Sequence, residues 1–357
     1  MKLIKCSIFL VNIPLTEPYH LSFSEVDSFN TIITVVRSED DEIGVGESTA
    51  LPGYSSETLE DMWNFTLQWG KKVPGSEIED VIKQIKPYCE TLPFCVTSLL
   101  TSLEMIKYSS NYQIPETGLS FYLLGAINSL NMENIKEEVE ILIAKGFKTL
   151  KLKVGWDIEK DIARTRYVQE VVSGRANLRI DANQGFSFED AQKYVLGISK
   201  NSVELFEQPF GIDKWEEMSD LQKISPLPLM LDESIHTIDD IERTFKTGCA
   251  EYVKFKLMKA GSLERLRELI NQALINGLKV VVGNGVAGEI GCVQEAMISQ
   301  NIINNAGEMN GFARQKENIF NDDILLKNGC MSVPSNYFFN LNYDRMEKYV
   351  KDKKHWN

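Results

Sequence analysis

Two lysines lie two residues apart in the segment from 149 to 155, which reads Thr-Leu-Lys-Leu-Lys-Val-Gly. Residues two apart on a β-strand point to the same face, so Lys151 and Lys153 would share one face and the leucines the other. A lysine beside another ammonium group and a divalent cation has a lowered pKa, so its neutral form can act as a base. Taken alone, the pattern is more typical of an edge strand with solvated lysines, and the rest of the chain reverses that preference.

Acidic residues end the next three apolar segments: Asp181, Glu207 and Asp232. A second pair of lysines, Lys254 and Lys256, lies in the apolar segment after them. Three carboxylates that converge repel one another unless a cation lies among them. Oxygen ligands suit Mg²⁺, which leaves positions open for water or substrate. If these segments are neighbouring parallel strands, they predict a Mg²⁺ site, with Mn²⁺ as an alternative, flanked by lysines.

The elements that would position these residues form a repeating pattern. From about residue 118, short apolar segments alternate with amphipathic helical segments at the spacing of βα units. Eight such repeats predict a closed (β/α)8-type barrel, a modified TIM barrel, whose active site lies where the strands end. The predicted strands are 119–126, 149–154, 178–182, 205–208, 229–232, 252–257, 279–283 and 306–310. The predicted helices are 135–145, 157–173, 187–198, 239–247, 263–276 and 293–300.

The first third of the chain differs in pattern from the barrel segment. Strand and turn patterns up to residue 50 are followed by helical patterns up to residue 115. We therefore predict an α/β protein in which residues 1–117 form an α+β capping domain. The barrel would span residues 118–325, and the tail, residues 326–357, would pack on the capping domain and complete it.

The composition excludes several classes of function. A net charge of −13 argues against a nucleic-acid surface. The 6 cysteines are scattered, without a CxxC pair, as in a reduced intracellular protein. No segment approaches the roughly 18 apolar residues of a membrane span. We expect a cytoplasmic protein with a small-molecule carboxylate substrate, no nucleic-acid or membrane partner, and a homo-oligomeric state.

In their order along the chain, the motifs resemble those of the enolase superfamily, and specifically of its muconate-lactonizing subgroup. The resemblance covers nearly the whole chain. The motifs that carry it are Gly-Val-Gly-Glu-Ser at 44–48, Lys-x-Lys at 151–153, Asp-x-Asn at 181–183, Glu-Gln-Pro at 207–209, Asp-Glu-Ser at 232–234 and Lys-Leu-Met-Lys-x-Gly at 256–261.

The resemblance implies a role for each charged residue. The three acids would be the Mg²⁺ ligands. Lys153 and Lys256 would be acid/base residues on opposite faces of the substrate α-carbon. Lys151 would lower the pKa of Lys153 and bind the substrate carboxylate, whereas Lys254 would face outward or support the site. Asn183 is expected to support the ligands rather than to bind the metal.

The residues that would contact the substrate depart from the pattern of relatives that epimerise dipeptides. Those relatives carry Asp-x-Asp at the eighth strand, where this chain has Glu308 and Asn310. After the seventh strand the usual acid is absent, and Glu289 either replaces it or caps a helix. His20 lies in a loop that would cover the pocket. The predicted substrate-binding residues are Glu308, His20, Asn284 and Asn310.

Such a site would remove a proton next to a carboxylate and stabilise the resulting enediolate. Reprotonation from the opposite face racemises or epimerises an amino-acid-derived carboxylate, which is our leading hypothesis. Elimination, as in a dehydratase or lyase, or cycloisomerisation on the same site is the alternative. Two other classes remain open: a Schiff-base enzyme using Lys153 or Lys256, and a barrel retained only for binding.

Overall fold

The computed structural model describes residues 1–20, 25–51, 53–283, 285–335 and 337–357, without the side chains of residues 19, 20 and 25. Its strands are β1 (Leu3–His20), β2 (Glu25–Ser38), β3 (Ile43–Thr49), β4 (Leu119–Tyr122), β5 (Gly125–Ile127), β6 (Thr149–Lys153), β7 (Asn177–Asp181), β8 (Val203–Glu207), β9 (Leu229–Leu231), β10 (Tyr252–Phe255), β11 (Lys279–Val282), β12 (Leu325–Lys327), β13 (Cys330–Val333) and β14 (Val350–Trp356).

The helices are α1 (Leu59–Gly70), α2 (Ile78–Ile85), α3 (Pro93–Lys107), α4 (Met132–Ala144), α5 (Ile158–Val172), α6 (Phe188–Gly197), α7 (Trp215–Ile224), α8 (Ile238–Thr247), α9 (Leu257–Ala260), α10 (Leu263–Ile275), α11 (Glu289–Ser299) and α12 (Tyr343–Glu347). Helices α4 to α11 lie between the strands of the second sheet or directly after its last strand, β11. Across the described ranges, every helix is too short or too polar to cross a membrane.

The first sheet is antiparallel, with the strand order β14-β1-β2-β3, and α1 and α3 pack on it, with α2 against α3. Helix α3 lies directly against β3. A Cβ atom at Gly44 would lie 1.8 Å from the carbonyl oxygen of Ser102, and one at Gly46 would lie 2.1 Å from that of Ser98. The two glycines of the Gly-Val-Gly motif therefore permit this close approach of strand and helix.

The second sheet is parallel and seven-stranded, in the order β11-β10-β9-β8-β7-β6-β5. Its register aligns the residues of interest, because Lys153 pairs with Asp181 and Asp181 pairs with Glu207. The apolar side chains of the strands and the surrounding helices form the largest hydrophobic core of the described chain. The charged residues thus lie together at the carboxyl-terminal end of the parallel strands, as the repeat pattern predicted.

The predicted eighth strand, residues 306–310, is only a single parallel bridge between Gly307 and Leu123. Its backbone nevertheless reaches both edges of the parallel sheet. The amide of Glu308 donates to Val282 O (2.9 Å), and Gly307 O accepts from the amide of Leu124 (3.0 Å). The amide of Asn310 then donates back to Glu308 O (2.9 Å), and this turn ends the extended segment.

The structure also corrects two other elements. The predicted strand 119–126 is divided, because β4 pairs antiparallel with β13 and only β5 joins the parallel sheet. Helix α7 was not predicted, although its buried residues Trp215, Met218 and Leu221 recur every third position.

The tail divides in the same way. Strand β14 pairs with β1 in the first sheet, whereas β13 pairs with β12 on one side and with β4 on the other. The proposed domain boundaries remain a prediction.

Candidate active site

The three acids lie together at the carboxyl ends of neighbouring strands. Asp181 ends β7, Glu207 ends β8, and Asp232 follows β9 directly. Each is 1% exposed. Alternation along the strands directs them to the opposite side from the apolar residues that pack under the helices. The structure therefore brings together the three residues that the sequence singled out as ligands.

Two buried ammonium groups lie among these carboxylates. Lys151 Nζ is 2.9 Å from Asp181 Oδ2 and 3.0 Å from Glu207 Oε2. Lys254 Nζ is 3.0 Å from Glu207 Oε1 and 3.5 Å from Asp232 Oδ2. Lys254 was predicted either to face outward or to support the site, and these contacts exclude the outward placement. Negative and positive groups thus alternate along a row of contacts that spans five adjacent strands, β6 to β10.

Glu308 closes this row from the segment that links the two edges of the sheet. Its Oε1 accepts from Lys151 Nζ at 2.9 Å and its Oε2 at 3.2 Å, and Oε2 also accepts from Lys254. Burial raises the pKa of Glu308, but Lys151 and Lys254 outweigh it and hold the pKa well below its usual range. Asn310 donates to Leu124 O at 3.3 Å and lies beside Glu308.

Lys153 and Lys256 lie on different sides of the acids. Lys153 ends β6 and Lys256 follows β10, with the acid-bearing strands β7, β8 and β9 between them. Lys153 lines a cavity of about 270 Å³ together with Lys151, Glu308 and Asn310. Lys256 Nζ instead donates to Asp232 Oδ2 and to the hydroxyl of Tyr54, both at 2.7 Å.

Burial and neighbouring charge set the protonation of the site. Burial, with the charge of Asp181 added, raises the pKa of Glu207 to about 7. Burial also raises the pKa of Asp232, but Lys256, Lys254 and Lys259 outweigh it and hold the pKa well below its usual range. Burial lowers the pKa of Lys256, but the charges of Asp232 and Glu233 and the hydrogen bond to Asp232 together outweigh it and raise the pKa above its usual range. Lys256 is therefore an ammonium group here, ready to donate a proton.

The donor set fits a hard dication. Among the described residues, no group of three or more acidic, histidine or cysteine side chains is arranged so that it could hold a metal ion. The two ammonium groups lie between the carboxylates. The chemistry is nonetheless that of a Mg²⁺ site, with carboxylate oxygens from three adjacent strand ends. Glu207 Oε2, though 3.0 Å from Lys151 Nζ, is buried without a well-oriented hydrogen bond. That oxygen has spare capacity for a cation.

Two amides hold the acid-bearing loops. The backbone amide of Asn183 donates to Asp181 Oδ1 (2.9 Å), and its side chain donates to Glu233 (3.1 Å). Gln208 was missed by the sequence reasoning although it lies in the Glu-Gln-Pro motif. Its Oε1 accepts from the amide of Asp232 (2.9 Å), so it ties the end of β8 to the residue after β9.

Four other candidates have different outcomes. Asn284 lies outside the described residues, and so does the side chain of His20, whose backbone ends β1. Glu289 opens α11 and accepts from Tyr337 (3.2 Å) and Asn318 (3.3 Å), away from the acid cluster. Lys259, a residue the sequence reasoning weighed only as a register alternative to Lys256, donates to Asp232 Oδ1 at 3.4 Å.

A parallel β/α array with buried acids and lysines at its strand ends is an enzyme architecture of the TIM-barrel type. Residues 134–337 match the family described as enolase C-terminal domain-like, and the chain belongs to this family and so to the enolase superfamily. This confirms the resemblance seen in the motifs.

Individual relatives agree in size and kind. The chain is 26% identical to the L-Ala-D/L-Glu epimerase of Bacillus subtilis over 355 residues, covering 94% of this chain and 95% of that one. It is 23% identical to the N-succinyl-L-Arg/Lys racemase of Bacillus cereus, covering 81% and 82%. The structure of a dipeptide epimerase from Cytophaga hutchinsonii, complexed with Mg and the dipeptide D-Ala-L-Val, superimposes with a TM-score of 0.87 at 18% identity, covering 100% of both chains. All of these relatives are enzymes.

Proposed function

We propose that this protein is a Mg²⁺-dependent racemase or epimerase of an amino-acid-derived carboxylate. The observation that carries the proposal is the placement of Lys153 at the end of β6 and of Lys256 directly after β10, the two strands that flank the three acid-bearing strands. A substrate carboxylate held at the acids would have one amine on each side. Inversion of an α-carbon needs such an arrangement, because the proton leaves from one face and returns to the other.

Asp181, Glu207 and Asp232 would hold the Mg²⁺, or Mn²⁺ in its place. When bound, the ion would hold the substrate carboxylate and offset the negative charge that develops there. Lys151 and Lys254 already share Glu308 as an acceptor. If a bound metal ion displaces the two ammonium groups from the three acids, Glu308 can therefore still compensate their positive charge.

The lysines carry the proton steps. Lys153 or Lys256, in its neutral form, takes the α-proton from its own face, and the other lysine, as an ammonium group, donates a proton to the opposite face. The two exchange roles for the other enantiomer. Lys151 lies between Asp181 and Glu207, so its charge is directed at the position where the substrate carboxylate would bind.

The cavity beside Lys153 would receive the rest of the substrate. Glu308 and Asn310 line it with the apolar Leu124 and Ala126. We propose these two polar residues, with His20 and Asn284, as the substrate-binding set. Relatives named for a dipeptide and for an N-succinyl amino acid define the two substrate types to test first.

Three features of the whole chain belong to the same proposal. Residues 306–310 would act as the eighth strand of a closed barrel, supported by their bonds to both sheet edges. Residues 1–117 with the tail would form the capping domain, supported by the pairing of β14 with β1. We propose a homo-oligomer in the cytoplasm, without a nucleic-acid or membrane partner.

The test is proton exchange in D₂O, with L-Ala-L-Glu and N-succinyl-L-lysine as probes and with Mg²⁺ or EDTA present. We expect deuterium to enter the α-position with inversion, and only when Mg²⁺ is present. NMR measures this exchange. Loss of water or ring formation would instead support elimination or cycloisomerisation. Borohydride trapping that is insensitive to EDTA would point to Schiff-base chemistry.

Metal binding can be tested without a substrate. Because a ligand that binds only the folded state stabilises it, Mg²⁺ should raise the melting temperature of the wild type. It should not raise that of Asp232→Asn, whose amide is a poorer ligand. Equal responses of the two proteins would contradict the metal site, and Asp239→Asn, at an exposed position on α8, is the control that should behave like the wild type.

A further inference from the structure

Tyr54 reaches the active site from the segment between β3 and α1, outside the barrel strands. Its hydroxyl accepts from Lys256 Nζ at 2.7 Å and donates to Asp232 Oδ1 at 3.4 Å. The Lys256 Nζ atom also lies 4.3 Å from the centre of the Tyr54 ring. The ring in turn packs against Phe94, near the start of α3, at 6.3 Å between centroids.

These contacts form a closed three-residue arrangement. Lys256 donates to Asp232 Oδ2 and to the Tyr54 hydroxyl, and Tyr54 donates to the other oxygen of Asp232. A lysine side chain is long and flexible, so one acceptor fixes only the distance of its amine. The second acceptor and the ring face fix the direction of Lys256 as well.

The contacts of Tyr54 lie on the Lys256 side of the site. Among the described residues that line the cavity beside Lys153, none comes from residues 1–117. Tyr54 is also absent from this lining, so in the described part of the chain it contacts Lys256 and not the cavity beside Lys153.

We propose that Tyr54 is a positioning residue for Lys256, and that it makes proton transfer on that face depend on the amino-terminal unit. The proposal rests on the function proposed above, in which Lys256 serves one face. Tyr54→Phe keeps the ring and removes the hydroxyl, so Lys256 loses one of its two acceptors. We expect exchange on the Lys256 face to slow by about ten- to a hundred-fold, since small misplacements of a reacting group have effects of that size.

The first experiment uses both enantiomers of N-succinyl-lysine and both epimers of Ala-Glu in D₂O. Lys153→Ala and Lys256→Ala first show which lysine serves which face. Tyr54→Phe should then slow exchange only on the Lys256 face, with kcat falling and KM nearly unchanged, and Tyr54→Ala should slow it further. The matched control is Tyr112→Phe, which removes another buried hydroxyl that donates to a carboxylate, Glu264, and should leave both faces unchanged.

The second experiment needs no substrate. Acylation by acetic anhydride, followed by mass spectrometry, compares Lys256 with Lys153 in the same sample. Both Tyr54 variants should increase acylation of Lys256 several-fold relative to Lys153, and Tyr112→Phe should not. Thermal melting confirms that each variant is folded.

The outcomes separate the two proposals. Suppose that Lys153→Ala and Lys256→Ala each slow exchange on one face, but that Tyr54→Phe slows it equally on both faces or on neither. This result overturns the positioning role of Tyr54 and leaves the proposed function intact. Acylation of Lys256 that is unchanged in both Tyr54 variants also overturns it. Wild-type protein that exchanges no probe, with or without Mg²⁺, overturns the proposed function and with it the positioning role.

Discussion

Lys151 shows how a single residue holds the site together. It is 4% exposed and its ammonium group contacts Asp181, Glu207 and Glu308. Bringing these acids out of water is costly unless a cation stays with them. Glu207 shows that the balance is narrow, because burial and Asp181 already raise its pKa to about 7. One ammonium group thus allows acids that would otherwise repel one another to remain close.

Removing that charge should therefore destabilise the fold. Lys151→Met keeps the length of the side chain but leaves Asp181, Glu207 and Glu308 with one cation fewer. We expect the free energy of unfolding to fall by about 3–5 kcal/mol, measured by urea denaturation at pH 7 without added metal. Lys193→Met, at an exposed salt bridge with Glu159, should change it by less than about 1 kcal/mol. Similar small effects for both variants would show that Lys151 does not compensate the acids.

The sequence could identify the charged residues but not all of their directions. Asp181, Glu207 and Asp232 were predictable because each ends an apolar segment at βα spacing. Lys254 shares a strand face with Lys256 by simple alternation, yet its amine reaches a different part of the row, between Glu207 and Glu308. Which acid each lysine meets depends on the packing of several strands, and local sequence does not encode it.

Among the secondary-structure elements, the contact between β3 and α3 shows why part of the amino-terminal segment could be predicted from the sequence. The Gly-Val-Gly motif was recognised from resemblance, and its physical reason is the absence of space between strand and helix. A Cβ atom at Gly46 would lie 2.1 Å from Ser98 O and 2.3 Å from Thr101 Oγ1. Because Ser98 O belongs to the backbone of α3, it cannot move without displacing the helix.

Gly46→Ala should therefore be strongly destabilising. Because α3 must shift to admit the methyl group, we expect the free energy of unfolding to fall by about 2–3 kcal/mol, measured by urea denaturation. Gly211→Ala is the control, since its new methyl group would meet only side-chain atoms, the nearest at 3.3 Å. An unchanged midpoint for Gly46→Ala would mean that β3 and α3 are less tightly packed than the structure indicates.

Elements that depend on distant partners were the ones the sequence missed. Residues 119–126 form one apolar segment, but pairing with β13, more than 200 residues away, divides it. Residues 306–310 look like a strand, but the turn after Glu308 interrupts it. Helix α7 was also missed, although its three buried residues recur at helical spacing.

At the scale of the whole molecule, buried carboxylates also join parts of the chain away from the site. Glu47 on β3 faces the start of α11, where a Cβ atom at Gly288 would lie 2.8 Å from its Oε2. Glu289, the first residue of α11, faces Tyr337 and Asn318. Burial raises the pKa of Glu47 to about 7 and that of Glu289 to about 8. The contact between the first sheet, α11 and the carboxy-terminal segment therefore contains two acids that favour the protonated form.

This arrangement predicts that stability falls as the pH rises. A raised pKa means that the folded protein keeps a proton on Glu289 that the unfolded chain releases above about pH 4.5. The stabilising contribution is complete below that pH and is lost as the pH rises through about 8. Glu289→Gln has no proton to lose, and its amide oxygen can still accept from Tyr337 and Asn318. Glu47 and Asp323, the neighbouring acids, remain in the variant.

Urea denaturation of wild type and Glu289→Gln at several pH values between 5 and 9 gives the measurement. From pH 5 to pH 9 the free energy of unfolding of the wild type should fall by roughly 2–4 kcal/mol more than that of the variant. Glu216→Gln, at an exposed position on α7, should follow the wild type throughout. Parallel curves for wild type and Glu289→Gln would show that Glu289 is ionised in the folded protein. Its proton would then contribute nothing to the contact between α11 and the carboxy-terminal segment.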